Sequence, residues 1–189
     1  MRIPADDEIW ALHERFAPTA EALELVRTHC EIVAGIAAQL IGPGLDAALV
    51  RAGCLLHDIG VYRLGRGDAY IRHGILGHEL LRDLGYPEEL CRFCSCHTGV
   101  GITRADIERQ RLPLPPADYV PRTGEERLVM YADKFHSKTT PPAFLTAATY
   151  RAEVGRFGAD KAAAFAAMTE EYGEPDLTAP AAVSGHIIR

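Results

Sequence analysis

Between Leu23 and Leu40 the apolar residues Leu23, Val26, Cys30, Val33, Ala37 and Leu40 return at steps of three and four. An α-helix brings such a period onto one face, whereas a strand needs strict alternation. Pro18-Thr19 opens this helix and Gly42-Pro43-Gly44 stops it. The same reading predicts a second helix from Leu45 to Leu56 that runs into His57-Asp58-Ile59-Gly60, where the glycine suits a helix terminus. Arg72 to Leu84 reads as helix, Gly85 ends it, and Pro87 opens another that reaches about Thr98. Thr103 with Asp106, and Thr123 with Glu126, have capping-box spacing and open two more.

The intervening stretches break the pattern. Val61 to Tyr70, with Gly65, Gly67 and several charges, reads as a loop of the kind that often carries function. Leu112-Pro113-Leu114-Pro115-Pro116 cannot be helical throughout, because proline lacks a donor and restricts its predecessor. After Pro141-Pro142 an Ala-rich helical region, interrupted near Gly155 and Gly158, runs to Tyr172, and residues 173–189 read as a loosely held tail. The apolar residues of the predicted C-terminal helix could serve a core or a homodimer interface. No stretch alternates convincingly enough for a strand. The expectation is an all-α bundle in one domain, residues 1–172, with its motifs in about 20–140.

Charge narrows the function. Twenty Lys and Arg face 26 Asp and Glu, a formal net charge of −6, and no segment carries a dense basic run. A long nucleic acid is therefore a poor partner, although a bound cation could still bring in a phosphate. Met1 to Trp10 carries Asp6, Asp7 and Glu8 rather than a basic, apolar-cored leader, and the apolar run Ile32 to Ile41 is too short to span a bilayer. Five cysteines with no framework spacing suit reduced thiols, so a cytoplasmic location is expected.

His29, His57, His73 and His97 each fall on a predicted helix or helix end, accompanied by Asp58 and Asp133. Neutral imidazole and carboxylate suit a divalent transition metal, with Fe, Mn, Co, Ni and Zn all open. Such residues act together only if the fold brings them together. His78 lies five residues after His73, about 140° around a helix, and reads as a surface or supporting residue. His13, His136 and His186 belong to no motif, so exposure is expected. Cys91 and Cys94 have zinc-knuckle spacing but lack partners for a four-ligand site, and read better as small apolar packing groups.

The ordered strings His29-Cys30-Glu31-Ile32-Val33-Ala34, Leu55-Leu56-His57-Asp58-Ile59-Gly60, Arg72-His73-Gly74, Cys96-His97-Thr98-Gly99 and Tyr131-Ala132-Asp133-Lys134 resemble the HD superfamily of metal-dependent phosphohydrolases. Gly101-Ile102-Thr103, Leu112-Pro113-Leu114-Pro115 and the stretch Thr123 to Lys134 resemble its HDIG-domain branch in bacteria and archaea. The resemblance implies that His29, His57, Asp58 and Asp133 hold a core metal. In two-metal families the ligand set extends to His73 and His97, with Asp58 shared; in a one-metal site these two would orient substrate phosphate.

A metal lowers the pKa of bound water from about 15.7 towards about 7, which suits hydrolysis of a small phosphorylated molecule such as a nucleotide. Asp58 and Lys134 are the catalytic candidates, and Arg63, Arg66 and Arg72 the cations expected to complete an anion pocket. Val61 stands where many members carry Lys. Leu25 stands in place of the Glu of three-metal HD-GYP phosphodiesterases, and no Gly-Tyr-Pro motif occurs, which disfavours cyclic dinucleotide cleavage.

Two other readings share these ligands. HD-type oxygenases resembling myo-inositol oxygenase use two irons held by four His and two Asp. A non-catalytic metal- or nucleotide-binding regulator is the third, and the lack of a recognisable signalling domain counts against it.

Overall fold

The computed structural model describes residues 1–189. Thr19 accepts a hydrogen bond from the Ala22 N–H and opens α2 (Ala20–Leu40), preceded by α1 (Asp6–Phe16). Asp46 caps α3 (Ala47–Leu56) by accepting from Ala48 and Leu49. A 3-10 turn, Ile59–Arg63, leads through a short loop to a second, Tyr70–Arg72, and directly into α4 (His73–Asp83). Then come α5 (Glu88–Cys96), α6 (Arg104–Gln110), α7 (Gly124–Asp133), α8 (Ala147–Val154), α9 (Ala159–Tyr172) and α10 (Thr178–Ser184). The helical expectation is met.

The core forms where α2, α3, α5 and α7 turn their apolar faces together. Val26, Cys30, Val33 and Ala37 of α2 are buried with Leu55, Leu56, Phe93, Leu128 and Tyr131, so the period seen in the sequence is the packed face. Phe165 and Met168 of α9 join the same core. All five cysteines are free and buried, and Cys94 donates to the Leu56 carbonyl, so they pack as small groups. No helix is long and apolar enough to cross a membrane.

Both capping pairs work, but differently. Thr103 and Asp106 form a reciprocal box at the start of α6. At α7 Thr123 accepts from the Glu126 N–H, while the Glu126 carboxylate turns to Arg92, whose Nε and Nη2 donate at 2.7 and 2.9 Å. Arg92 also donates to the Val120 carbonyl, which ties the proline-rich crossing segment to the bundle.

Several expectations need correction. Three two-residue strands exist, β1 (His136–Ser137), β2 (Ala143–Phe144) and β3 (Ile187–Ile188), too short to show alternation. β2 pairs antiparallel with β1 and parallel with β3. Residues 173–189 are therefore docked rather than loose: Tyr131 donates to the Gly173 carbonyl, α10 follows, and β3 adds an edge strand. The helix α1 has no counterpart in the sequence reading. It buries Ile9, Trp10 and Leu12 together with His13, which is inaccessible to solvent rather than exposed.

The His13 ring is held between the Leu55 carbonyl at Nε2 (2.9 Å) and the Tyr62 hydroxyl at Nδ1 (3.0 Å). Burial pushes its pKa down from 6.5 to about 4, although the hydrogen bond to Leu55 pulls the other way. The unfolded chain takes up this proton as pH falls through 6.5, but the folded chain does not until about 4. The stability associated with His13 is thus complete above pH 6.5 and is lost as pH falls towards 4, by up to about 3 kcal/mol. Urea unfolding from pH 7.5 to 4.5 should show that decline, and the His13 ring resonances should keep their neutral shifts at pH 5.5.

Candidate metal centre

Four of the six motif residues stand at helix ends, where side chains clear the helix and can converge. His57 caps the C-terminus of α3, with Asp58 following it. His73 starts α4, His97 caps α5 and Asp133 ends α7. Only His29 sits mid-helix, on the buried face of α2.

Asp58 lies between two groups of donors. Its Oδ2 is 3.4 Å from His29 Nε2 and 3.6 Å from His57 Nε2. Asp133 Oδ1 approaches the same two nitrogens at 3.0 and 3.4 Å. On the other side Asp58 Oδ1 is 3.3 Å from His73 Nε2 and 3.7 Å from His97 Nε2. The structure thus brings together all six residues named from the sequence.

Their tautomers follow from the backbone. His57 Nδ1 lies 2.7 Å from the Cys54 carbonyl, His73 Nδ1 2.6 Å from that of Tyr70, and His97 Nδ1 3.1 Å from that of Phe93. A carbonyl accepts only, so each Nδ1 carries hydrogen and a neutral ring presents its Nε2 lone pair to the cluster. Burial lowers the pKa of His73, with Asp58 opposing it, and burial followed by His57 and His73 holds that of His97 well below the usual range. Two neutral rings therefore point lone pairs at each other across 2.9 Å. Beside them Asp58 Oδ1 is buried without a donor. An arrangement of acceptors with no donor is the donor set of a cation site, and these residues fit a divalent metal.

The other side is better balanced. Burial lowers the His57 pKa, but Asp58 and its neighbours hold it well above the ordinary range. His29 is driven down to about 4 by burial and by Lys138. Both carboxylates stay ionised against burial, Asp58 chiefly because of Lys138 and His57, and Asp133 because of Lys134 and His29. Three-residue sets with mutually close ligand atoms occur on both sides, His29, His57 and Asp133 on one and His57, Asp58 and His97 on the other.

The cluster floors a cavity of about 570 Å³ whose walls include Leu25, Tyr70, Thr98, Lys138, Tyr150 and Glu153. That volume falls in the usual range for small-ligand sites. Lys134 also lines it, with Nζ donating to the His97 carbonyl at 2.8 Å and to Asp133 Oδ2 at 2.5 Å, so it fixes two motif residues.

Arg63, Arg66 and Arg72 do not line the cavity. Arg63 and Arg66 are exposed, and Arg72 is spent on Asp68 at 2.6 Å, because the two 3-10 turns carry this loop outwards. Lys138, which the sequence reading passes over, and His136, which it expects to be exposed, both stand beside the six convergent residues. His136 is buried, not exposed, with Nδ1 2.9 Å from His29 Nδ1 and Nε2 3.0 Å from Nδ1 of half-buried His186. Lys138 pairs with Asp58 Oδ2. Both follow Asp133 closely in sequence, the one signal that could have marked them. His78 stays outside, bonded to Ser95 and paired with Glu88.

The family model of the HD domain matches residues 26–138, which contain every one of the six convergent residues. The chain belongs to the HD domain family. Over 116 residues it is 43% identical to an uncharacterized protein of Methanocaldococcus jannaschii, covering 58% of this chain and 65% of the relative. It is 39% identical over 115 residues to a tRNA (cytidine(56)-2'-O)-methyltransferase of Picrophilus torridus, covering 60% of this chain and 32% of that protein. The chain thus spans less than two thirds of the length of either relative. Among solved structures, the HD domain of L. monocytogenes phosphodiesterase PgpH in complex with cyclic-di-AMP superposes with a TM-score of 0.50 over 88% of this chain and 97% of that one. At 16% identity the likeness is one of HD-domain fold.

Proposed function

We propose that this HD domain is a metal-dependent phosphohydrolase of the HDIG branch acting on a small phosphate ester or anhydride, with a nucleotide as the favoured class. The observation that carries the reading is the placement of two donor groups on the two oxygens of one buried aspartate, at the floor of a ligand-sized cavity. His29, His57, Asp58 and Asp133 would hold one ion, and Asp58, His73 and His97 a second. A divalent metal bound there supplies a Lewis acid and a water acidic enough to ionise near neutral pH.

The remaining work falls to the chain. The backbone carbonyls of Cys54, Tyr70 and Phe93 fix three rings with Nε2 inward. Lys134 orients Asp133 and the end of α5. Metal charge would also reconcile a net charge of −6 with an anionic substrate. The methyltransferase name of the second relative is no guide to this chain, which spans under a third of that protein's length.

Elemental analysis of anaerobically purified protein, with phosphatase and phosphodiesterase panels under Mn, Co and Fe loading, tests the reading. About two metal equivalents with phosphate release is the expected result. One equivalent would restrict the site to a single side of Asp58. Two irons with oxygen consumption and no hydrolysis would transfer the site to oxygenase chemistry, and absence of metal under every loading would refute the proposal.

A further inference from the structure

The cavity's charged walls pose a problem for any phosphate-bearing ligand. Asp58, Asp133 and Glu153 all line it, and its lysines are Lys134 and Lys138. Lys134 is engaged by the His97 carbonyl and by Asp133. Lys138 has a single hydrogen-bond acceptor, Asp58 Oδ2. That oxygen also faces His29 Nε2 at 3.4 Å and His57 Nε2 at 3.6 Å, so the ammonium and a metal ion would compete for the same carboxylate.

Lys138 stands immediately after β1, whose pairing with β2 fixes the backbone beneath it, while its four-carbon stem keeps the head mobile. The side chain is only 15% exposed and borders the cavity, so a head displaced from Asp58 has the cavity to enter. The ammonium is paired with the Asp58 carboxylate, which is itself almost wholly buried, so the two charges stand against each other at the cavity edge. A cation is thus stored next to the place where one is needed.

We propose that Lys138 is the anion-binding cation of this site, held against Asp58 until a metal takes that carboxylate and then turned to the phosphoryl oxygens of the ligand. The assignment rests on the metal-dependent reading above and gives Lys138 the role that Arg63, Arg66 and Arg72 are placed too far out to fill. It also makes Lys138 a brake on metal affinity, which an ordinary supporting residue would not be.

Two titrations of the full chain by calorimetry separate these roles: Mn²⁺ into chelator-stripped protein, and inorganic phosphate into Mn²⁺-loaded protein. Lys138→Met should bind Mn²⁺ about ten-fold more tightly than the wild type, because the ion no longer displaces an ammonium. The same variant should bind phosphate about ten-fold more weakly. Lys138→Arg, which keeps the charge, should stay within about three-fold of wild type for Mn²⁺. If Lys138→Met does not fold by circular dichroism, Lys138→Gln keeps a donor for Asp58 without the charge and carries the same comparison.

Unchanged or weaker Mn²⁺ binding in the neutral variant would overturn the stored-cation role. Unchanged phosphate binding would overturn the anion-binding role. In either case wild-type metal binding would leave the metal-centre reading standing, whereas a wild type that takes up no Mn²⁺ would remove both.

Discussion

Asp58→Ala is expected to leave the protein folded and almost without metal. Asp58 faces both donor groups with its two oxygens, Oδ2 towards His29 and His57 and Oδ1 towards His73 and His97. On the proposed ligand set, removing it would take a ligand from each side at once. Loss of an outer partner of a metal ligand already costs about 10- to 100-fold in affinity, so loss of a shared ligand should exceed about 100-fold, with turnover falling to background. Helix content should hardly change, because His57, His73 and His97 are each tethered to a nearby backbone carbonyl rather than to Asp58. Lys138 loses its partner, but its head can swing to the cavity it borders. Metal analysis and far-ultraviolet circular dichroism on the same sample decide the matter: full metal and full turnover in the variant would refute the shared-ligand role, and a collapsed helix signal would make Asp58 structural.

The parts of this molecule legible in its sequence are those whose cause is local or repeated. α2 could be read because its apolar face repeats over five turns, and the caps Thr19, Thr103 and Thr123 act within three residues of themselves. The six convergent residues could be named from ordered motifs, although their meeting depends on the way four helix ends pack. Lys138 goes unnamed and His136 reads as exposed because what places them is the pairing of two-residue strands, β1 with β2, and the docking of His186 from 50 residues away, neither of which leaves a periodic signal. Arg63, Arg66 and Arg72 stand in or beside the loop after the His-Asp pair, yet a 3-10 turn of five residues is enough to carry Arg63 to the surface.

The same contrast explains Gly60. The sequence suggests a helix terminus, but α3 ends earlier, at Leu56, and Gly60 is not among the residues with positive φ. The structure gives it a different cause: a Cβ built there would lie 2.0 Å from the His73 carbonyl oxygen, 2.3 Å from the Gly77 nitrogen and 2.7 Å from the Gly77 Cα. Glycine is what lets the turn after Asp58 lie directly against α4. The glycine two residues after Asp58 therefore permits the close approach of this turn to the start of α4, where His73 stands.

Gly60→Ala should accordingly destabilise the fold by about 3 kcal/mol or more, since the obstructing atoms are backbone and no side chain can rotate away. The adjustment left is a shift of α4, which Gly74 and Gly77 hold close to Cys94 of α5, leaving little room in that direction. Moving α4 moves His73, so the variant that still folds should lose metal on the His73 and His97 side before the His29 and His57 side. Gly35→Ala is the matched control: it lies inside α2 with nothing within 4 Å of a new Cβ, and should stabilise by about 0.4–1 kcal/mol through the unfolded chain. Urea unfolding of both variants, with metal counted in each, separates the close approach from glycine's general flexibility. Wild-type stability and metal content in Gly60→Ala would show that α4 can slide freely and that the spacing of Asp58 and His73 is set elsewhere.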